Sequence, residues 1–360
     1  MVILSMIMPN RFAKKTRDDL RVSLIIAAYN EEKVIEDKIK NSLELDYPTE
    51  RFEIIVASDG STDRTDEIVK EYSDQGVILI RVEGRKGKTE TQNQAVKVGK
   101  GDILIFSDAN GLYKKDAVRR IVENFHDPSI GGVSGGLIYL KSIIKEESEE
   151  KTYWDFENIL KEKESSVSSI LGTNGSIYAI RKDLYVPLSA DMISDLVEPL
   201  KILEKGYRVV YEKLAISLED LASVSSYFDQ DFRRRVRIST RTIVGLFHCL
   251  KLLNFPKYGL VSLQFFSHKI LRYLMPFILP TIFVLNIFIL GSSRIAALCF
   301  MFQCIFYLLS GLGYLQERLS KRRSKVLSIP WYFVWSHAAI FLSFFKLLQG
   351  KRVVVWETVR

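Results

Sequence analysis

Apolar and polar positions over the first 215 residues follow a pattern typical of strands and helices in turn. Four short runs are almost continuously apolar, as expected for strands that are buried on both faces of a sheet. They are Val22–Ala28, 52–57, 77–82 and 102–107. The segments between them place apolar residues at helical spacing, and Val34, Ile35 and Ile39 share one such face. This order predicts an α/β fold with a mostly parallel, twisted sheet.

The residues after the first apolar run carry the signals of a helix start. Asn30 belongs to the residue types that cap helices, and Glu31 and Glu32 follow it. Two carboxylates at this place interact favourably with the positive end of a helix dipole. We therefore expect a helix that begins directly after Asn30.

Polar residues gather where the predicted strands end. Asn30 follows the first strand, Asp59 the second and Asp108 the fourth. Ligands of open parallel sheets bind at the carboxyl ends of the strands. The three residues are therefore candidates for one ligand site, although each of them alone is also a common turn or capping residue.

The last third of the chain has a different pattern. Tyr273–Leu290, Ile295–Leu315 and Ile329–Phe345 contain no Asp, Glu, Lys or Arg. A helix needs roughly 20 apolar residues to cross a bilayer, so the first two runs are long enough and the third is at the lower limit. We predict about three transmembrane helices. Three crossings would place Lys351 and Arg352 on the outer side, which fits poorly, and the sequence leaves open whether one run is re-entrant or interfacial.

Basic residues flank the apolar runs. The loop 316–328 is rich in Lys and Arg, and the positive-inside tendency places it in the cytoplasm together with the N-terminal region. Before the first run, the segment 231–272 interleaves arginines with apolar residues. This pattern predicts amphipathic helices in the headgroup region, with a solvated basic face as the alternative.

Composition and charge narrow the possible functions. The net charge is +8, and the excess of basic residues lies around the apolar runs. This placement suits an anionic membrane surface better than a nucleic acid, so we expect no nucleic-acid partner. The 3 cysteines have no metal-ligand spacing. The turn after the first strand lacks a Gly-x-Gly-x-x-Gly motif, which argues against a nucleotide-dependent oxidoreductase.

Several polar residues have chemistry that suits a nucleotide and a metal ion. Asp59 can accept hydrogen bonds from a nucleobase or a ribose, and Lys88 can contact a diphosphate. Asp108 and Asn110 carry side-chain oxygens two residues apart, and Mg²⁺ and Mn²⁺ prefer oxygen ligands. Asp195 lies near a predicted helix start, where it can act as a general base or simply cap the helix.

These residues, in this order, resemble the family 2 glycosyltransferases, which include cellulose, hyaluronan and chitin synthases and many smaller exopolysaccharide and lipid glycosyltransferases. The resemblance covers roughly residues 22–241. Its segments are Ala27–Glu32, Asp59-Gly-Ser, Asp108-Ala-Asn110, Gly172–Gly175 with Arg181, Ser194-Asp195 and Gln230–Arg234. One such segment is a weak signal, whereas six in order, followed by apolar spans, form a specific combination.

The resemblance implies a GT-A fold and a role for each segment. The nucleotide would be bound by Ala28, Asn30, Glu32, Asp59, Lys88 and Asp108. Mg²⁺ or Mn²⁺ would be held by Asp108 and Asn110, and Asp195 would be the catalytic base. The acceptor and sugar pocket would be lined by Gly172, Thr173, Asn174 and Ser194. The diphosphate would be bound by Gln230, Arg233 and Arg234.

Three positions depart from the family pattern. Asn110 stands where a second metal-binding aspartate is usual, so its amide oxygen can still ligate but without charge. Ser194 replaces the glutamate that usually precedes the catalytic aspartate. Arg234 replaces a tryptophan that stacks on a sugar in processive members, which favours transfer of one or a few sugars over synthesis of a long polymer.

We therefore expect an inverting, multi-pass membrane enzyme with a cytoplasmic catalytic domain. Its donor would be a nucleotide-sugar, with a UDP-sugar favoured and a GDP-sugar possible, and its acceptor a hydroxyl of a glycan or a lipid-linked glycan at the bilayer. The alternatives are a polyprenyl-phosphate sugar transferase and a catalytically weakened membrane scaffold that binds nucleotide. The expected organisation is an N-terminal segment (1–20), a catalytic domain (21–230), amphipathic interfacial helices (231–272), a transmembrane region (273–349) and a C-terminal tail (350–360).

Overall fold

The structure is a computed structural model that describes residues 20–140, 149–220, 228–319 and 324–354. The described chain forms two compact units. The first unit comprises the described parts of 20–220, together with 244–265 and 354, and the second comprises 228–243 and 266–353. The segment 244–265, expected among the interfacial helices, thus belongs to the first unit.

The first unit is built on an eight-stranded sheet. Its strands are β1 (Val22–Ala28), β2 (Phe52–Ser58), β3 (Val77–Arg81), β4 (Ile103–Asp108), β5 (Leu112–Tyr113), β6 (Ile130–Leu140), β7 (Tyr178–Arg181) and β8 (Arg208–Asp220). The helices that accompany it are α1 (Ile35–Leu43), α2 (Thr65–Lys70), α3 (Lys88–Val98), α4 (Ala117–Asn124), α5 (Glu149–Val167) and α6 (Ser194–Glu204).

The strand order is β3-β2-β1-β4-β7-β6-β8-β5. The first four strands are parallel neighbours, as the sequence predicts. β7 is antiparallel to both β4 and β6, and β5 is antiparallel to β8. β6 and β8 pair in parallel, so only β7 and β5 run against the other strands. The expected mostly parallel sheet is thus confirmed, with two reversed strands that apolar runs do not reveal.

The register of the central strands aligns the ends that carry polar residues. Ala27 of β1 lies opposite Ala57 of β2 on one side and Asp108 of β4 on the other. The strand interiors are fully buried, and the Leu24 and Ile26 side chains pack in one core with those of α1 and α4. Each such side chain contributes roughly 1.5–3 kcal/mol to stability. A rigid apolar sheet thus fixes the position of the polar rim above it.

The expected helix start at Asn30 is wrong. α1 begins at Ile35, and Val34 precedes it without a side-chain cap. Asn30 has a φ of 52°, a left-handed backbone conformation that Asn tolerates better than most residues. Its side chain instead bonds to the turn after β2. Capping residues and turn residues have the same composition, so the sequence alone does not separate the two roles.

The second unit contains the apolar helices α8 (Leu271–Ile289), α9 (Arg294–Leu319) and α10 (Lys325–Leu348), and it also contains the first part of α7 (Phe228–Phe247). Leu260–Ile289, Arg294–Leu319 and Val326–Leu348 are long and apolar enough to cross a membrane, so the prediction of three such helices is confirmed. α8 and α9 are joined by an Asn286–Gln303 side-chain hydrogen bond of 2.9 Å, an interaction common between membrane helices.

Candidate functional site

Asp59 organises the turn that leads into α3. It is fully buried, and its N–H donates to the Ala28 carbonyl at the end of β1 at 2.9 Å. Its Oδ1 accepts the Lys86 N–H at 2.7 Å and the Thr91 hydroxyl at 3.1 Å. The Gly87 N–H lies 3.2 and 3.1 Å from its two carboxylate oxygens. Such hydrogen bonds to a charged acceptor are among the stronger ones in proteins, so Asp59 holds this turn in place.

The turns after β1 and β2 are bonded to each other. Asn30 Oδ1 accepts the Thr62 N–H at 2.8 Å, and the Asn30 N–H donates to Ser61 Oγ at 3.1 Å. The Glu32 N–H donates to Asp63 Oδ2 at 3.1 Å. Asn30 and Glu32, both expected at the nucleotide site, therefore use polar atoms to join two loops at the rim of the sheet.

Lys88 connects the turn held by Asp59 to the end of β4. It is the first residue of α3 and follows Gly87, whose φ of 90° is a conformation that favours glycine because glycine has no Cβ. The Lys88 ammonium donates to Asp108 Oδ1. Burial disfavours the charged form of Lys88, but Asp108 and Asp195 outweigh that effect and raise its pKa. Lys88 therefore carries its positive charge between two of the expected site acids.

Asp195 lies at the start of α6, where its main chain is fixed. Its carbonyl accepts the N–H and the hydroxyl of Thr173, each at 2.8 Å. Its side chain approaches Lys88 across Gly175. The point that a Cβ on Gly175 would occupy is 2.8 Å from Asp195 Oδ2 and 3.4 Å from Lys88 Nζ. Because glycine has no Cβ, the carboxylate and the ammonium can both approach this point.

Four residues that were expected to act together thus lie in one place. Asp59 holds Gly87, the next residue Lys88 binds Asp108, and Asp195 lies beside the Lys88 ammonium. The contacts join the ends of β2 and β4 to the start of α6. Had Asp59, Asp108 and Asp195 faced separate cavities, a common reaction would have been ruled out. Instead they lie together.

Asp108 and Asn110 fit a divalent cation by the chemistry of their donor atoms. One carboxylate and one amide oxygen are hard ligands, and the carboxylate already attracts a cationic side chain, that of Lys88. Among the described residues, no group of three His, Cys, Asp or Glu side chains forms a ready-made metal centre. A metal ion would therefore complete its coordination with substrate phosphates and water, as Mg²⁺ commonly does.

A second charged layer lies close to Asp108. Lys38 is fully buried, donates to the Gly111 carbonyl, and places its ammonium 3.7 Å from the centroid of the Tyr113 ring. Burial lowers the pKa of Lys38 to about 7, against the opposing charges of Asp108 and Glu219. Burial, with the Asp108 charge, raises the pKa of Glu219. The electrostatic environment of Asp108 thus depends on two residues not expected at the site.

Glu198 is the third residue that was not expected to matter. It lies one helical turn after Asp195 in α6, with 3% of its surface exposed. Neither carboxylate oxygen has a hydrogen-bond partner of ordinary geometry among the described residues. Burial raises the pKa of Glu198 to about 8; Asp195 adds to the rise, and Tyr178 and Lys88 oppose it. At neutral pH Glu198 is therefore mostly protonated next to the expected base.

The residues expected to line the acceptor and sugar pocket differ in their exposure to solvent. Gly172 and Thr173 are partly exposed, whereas Ser194 is buried. The Asn174 amide is turned inward, where it donates to the Gly135 carbonyl at 2.6 Å and accepts from Lys161 Nζ at 2.5 Å. Asn174 thus uses its amide to hold the loop in place.

Two further expectations receive no support from the geometry. The Arg181 side chain donates to the carbonyls of Phe125, Asp127 and Ile130, so it ties β7 to the loop before β6. Gln230, Arg233 and Arg234 lie in the part of α7 that belongs to the second unit. The two arginines are exposed, and the Gln230 side chain lies outside the described residues. Diphosphate binding by these three residues stays a prediction.

Comparison with known proteins adds sequence and structural relatives. Residues 23–181 match the model of the family described as "Glycosyl transferase family 2". Poly-β-1,6-N-acetyl-D-glucosamine synthase from Staphylococcus aureus (strain COL) is 32% identical over 204 residues, which are 54% of this chain and 48% of the relative. The Staphylococcus epidermidis protein of that name is 27% identical over 202 residues, with the same coverage. The chain thus spans about half the length of the curated relatives it matches.

A solved structure extends the likeness over almost the whole chain. The mannosyltransferase PcManGT from Pyrobaculum calidifontis, in complex with GDP-Man and Mn²⁺, aligns with a TM-score of 0.71. The alignment covers 97% of this chain and 92% of that chain, with 22% sequence identity. At this identity the likeness speaks for the fold, and it confirms the expected GT-A architecture.

Proposed function

We propose that the protein is an enzyme that moves a sugar from a nucleotide-sugar to an acceptor hydroxyl, because residues 23–181 match the model of glycosyl transferase family 2. The observation that carries the proposal is the contact series from Asp59 through Gly87 and Lys88 to Asp108, with Asp195 beside it. It brings together a strand edge for the nucleotide, a cationic group for the diphosphate and a base.

Asp195 is the residue we assign to proton removal. A carboxylate that takes the proton as the acceptor oxygen attacks the anomeric carbon contributes typically 10²–10⁴-fold to the rate. Thr173 fixes the Asp195 main chain, so the carboxylate points from a rigid helix start. Attack opposite to the leaving diphosphate inverts the anomeric carbon. The Lys88 ammonium lies between Asp108 and Asp195. Once the donor has displaced this ammonium from Asp108, the ammonium can bind the diphosphate.

We assign the divalent cation, Mg²⁺ or Mn²⁺, to Asp108 and Asn110. When bound, it supplies positive charge that stabilises the departing nucleoside diphosphate. Mn²⁺ in the complex of PcManGT supports this assignment by analogy. Lys38 and Glu219 set the charge around Asp108 and so tune how strongly its carboxylate attracts a cation.

The donor and acceptor follow from family membership and from the named relatives. We favour a UDP-sugar donor, and the GDP-Man complex of PcManGT makes a GDP-sugar the second choice. The relatives named for poly-N-acetylglucosamine synthesis support a glycan or lipid-linked glycan acceptor. The three apolar helices support a membrane location, and the basic loop 316–328 supports a cytoplasmic catalytic domain.

A donor panel tests the proposal. The full chain in native membranes is given radiolabelled UDP-N-acetylglucosamine, UDP-glucose, UDP-galactose or GDP-mannose, and nucleoside diphosphate release is measured with Mn²⁺ and with EDTA. We expect release from one donor that EDTA abolishes. Tight nucleotide binding without release from any donor would favour the nucleotide-binding scaffold. Sugar transfer to added polyprenyl phosphate alone would favour the polyprenyl-phosphate sugar transferase.

The substitution Asn110→Asp is expected to tighten Mn²⁺ binding on the order of tenfold, because it adds a charged oxygen ligand where the chain has a neutral one. Titration of free Mn²⁺ by electron paramagnetic resonance measures the effect in the absence of donor. The matched control is Asn254→Asp, which adds the same charge at a residue that caps a short helix. Equal affinity of the two variants would contradict the assignment of Asn110.

A further inference from the structure

The end of the described chain lies against the turn that Asp59 holds. Val354 belongs to the first unit, as does Gly87. The Val354 carbonyl oxygen lies 2.5 Å, and its Cγ1 3.1 Å, from the point that a Cβ on Gly87 would occupy. The chain therefore leaves the first unit after Phe265 and returns to it at Val354, with α8, α9 and α10 in between.

This return limits how the apolar helices can be arranged in a bilayer. A chain that starts and ends on one side of a membrane crosses it an even number of times. Leu348, the last residue of α10, is followed by Val354 only six positions later. Six residues reach about 20 Å, whereas the hydrocarbon core is about 30 Å thick. After a third full crossing, the six residues that follow α10 would therefore be too short for Val354 to reach Gly87.

α10 is the helix least suited to lipid. Its mean hydropathy is 1.3, against 1.8 for Leu260–Ile289 and 2.1 for Arg294–Leu319. It is also the most covered by protein, because 28% of its apolar stretch is buried, against 11% in each of the other two helices. A helix that is partly shielded and less apolar fits an interfacial position better than a lipid-exposed crossing.

α10 is also packed against a helix that cannot cross. Within the second unit, the Ser343 hydroxyl donates to the Val236 carbonyl of α7 at 3.0 Å. Arg235 of α7 donates to the Tyr332 hydroxyl at 2.6 Å, and its guanidinium lies 4.9 Å from the Trp335 ring centroid. These contacts extend over three turns of α10. The neighbouring arginines of α7 are exposed, and an arginine at the centre of a bilayer costs about 2.5–3.5 kcal/mol on insertion scales.

We propose that α8 and α9 form a two-helix hairpin across the bilayer, and that α10 lies with α7 in the anionic headgroup region of the leaflet that faces the catalytic unit. The exposed basic tail residues Lys351 and Arg352 then meet lipid phosphates on one side. Arg233 and Arg234 also meet lipid phosphates there, in place of the diphosphate role that the resemblance implies for them. The inference rests on the membrane location proposed above and is independent of which sugar is transferred.

Site-directed labelling in oriented vesicles tests this arrangement. The native cysteines are first replaced by alanine or serine at Cys249, Cys299 and Cys304. Single cysteines are then introduced by Glu71→Cys on the catalytic unit, Ser292→Cys between α8 and α9, Ser324→Cys before α10 and Lys351→Cys after it. Each is reacted with a membrane-impermeant maleimide in right-side-out and in inside-out vesicles, and thermal melting of each variant verifies that it is folded.

The expected result is that positions 324 and 351 label in the same vesicle orientation as position 71, and that position 292 labels in the other. Labelling of 351 together with 292 would overturn the proposal, because it would mean three crossings. Labelling of 324 opposite to 71, with 292 on the side of 71, would also overturn it, since α9 and α10 would then form the hairpin. Labelling of all four positions in one orientation would exclude any crossing. None of these outcomes depends on enzyme turnover, so the proposed reaction can fail while the topology stands.

Discussion

Asp195→Asn should lower the rate of sugar transfer by about 10²–10⁴-fold while the affinity for the nucleotide-sugar stays within a factor of two or so of the unmodified protein. The substitution removes the group that accepts the proton and leaves the side-chain volume unchanged. It also leaves intact the Asp195 carbonyl, which is the atom that Thr173 holds. A loss confined to kcat is thus the signature of a base rather than of a structural aspartate.

The measurement is single-turnover product formation together with donor binding by equilibrium dialysis. Asp183→Asn is the matched control, because it makes the same change at an exposed residue in the turn after β7. Both variants should bind donor equally, and only Asp195→Asn should lose turnover. If Asp195→Asn kept more than half of the activity, proton removal would have to be assigned to a different group.

Glu198→Gln should make the protein more stable at pH 8 by roughly 3–5 kcal/mol, with little difference near pH 4.5. Burial raises the pKa of Glu198 from its ordinary 4.5 to about 8, so the folded protein holds a proton that the unfolded chain releases. The unmodified protein therefore loses stability as pH rises between these two values, and loses no more from this group above them. Glutamine is close in shape to the protonated carboxyl and carries no proton that titrates, so it removes this part of the pH dependence.

Thermal melting in detergent from pH 4.5 to 8.5 measures the effect. The control is Glu71→Gln, which changes an exposed glutamate at the end of α2. Its melting curve should follow that of the unmodified protein across the range, whereas the curve of Glu198→Gln should separate from both as pH rises. Superimposed curves for Glu198→Gln and the unmodified protein would show that Glu198 ionises freely in the folded state.

The strands were predictable because their signal is local. β1 to β4 coincide with continuous apolar runs to within a residue or so. Asp59 after β2 and Asp108 at the end of β4 lie at the same rim because parallel strands end there. The reversed direction of β7 was not predictable, because it depends on the long connection from β6 rather than on the composition of the strand.

The buried charges were missed for a different reason. Lys38 lies between the buried residues Ile35 and Ile39 of α1, so a lysine within an apolar stripe was a signal that could have been noticed. Its partner, the Gly111 carbonyl, is 73 positions away. Glu198 carries no such signal, because its burial, which raises its pKa, results from the way the folded chain packs around it. Pairings over such distances are set by tertiary packing.

Three consecutive arginines of α7 also differ in a way that the sequence does not predict. Arg233, Arg234 and Arg235 are chemically alike, yet only the third is partly covered, by Tyr332 and Trp335 of α10. Successive residues of a helix point about 100° apart, so three neighbours face three environments. The sequence identifies the basic cluster but not which member packs against aromatic rings.

The proposed hairpin of α8 and α9 bears on the fate of the product. A pair of helices packed side by side, as α8 and α9 are through Asn286 and Gln303, encloses no conduit wide enough for a saccharide. A hairpin of this kind, acting alone, would therefore leave each glycosylated molecule in the leaflet where it was made. Delivery to the opposite surface would fall to a separate carrier, and synthesis and export would be two events that can be regulated independently.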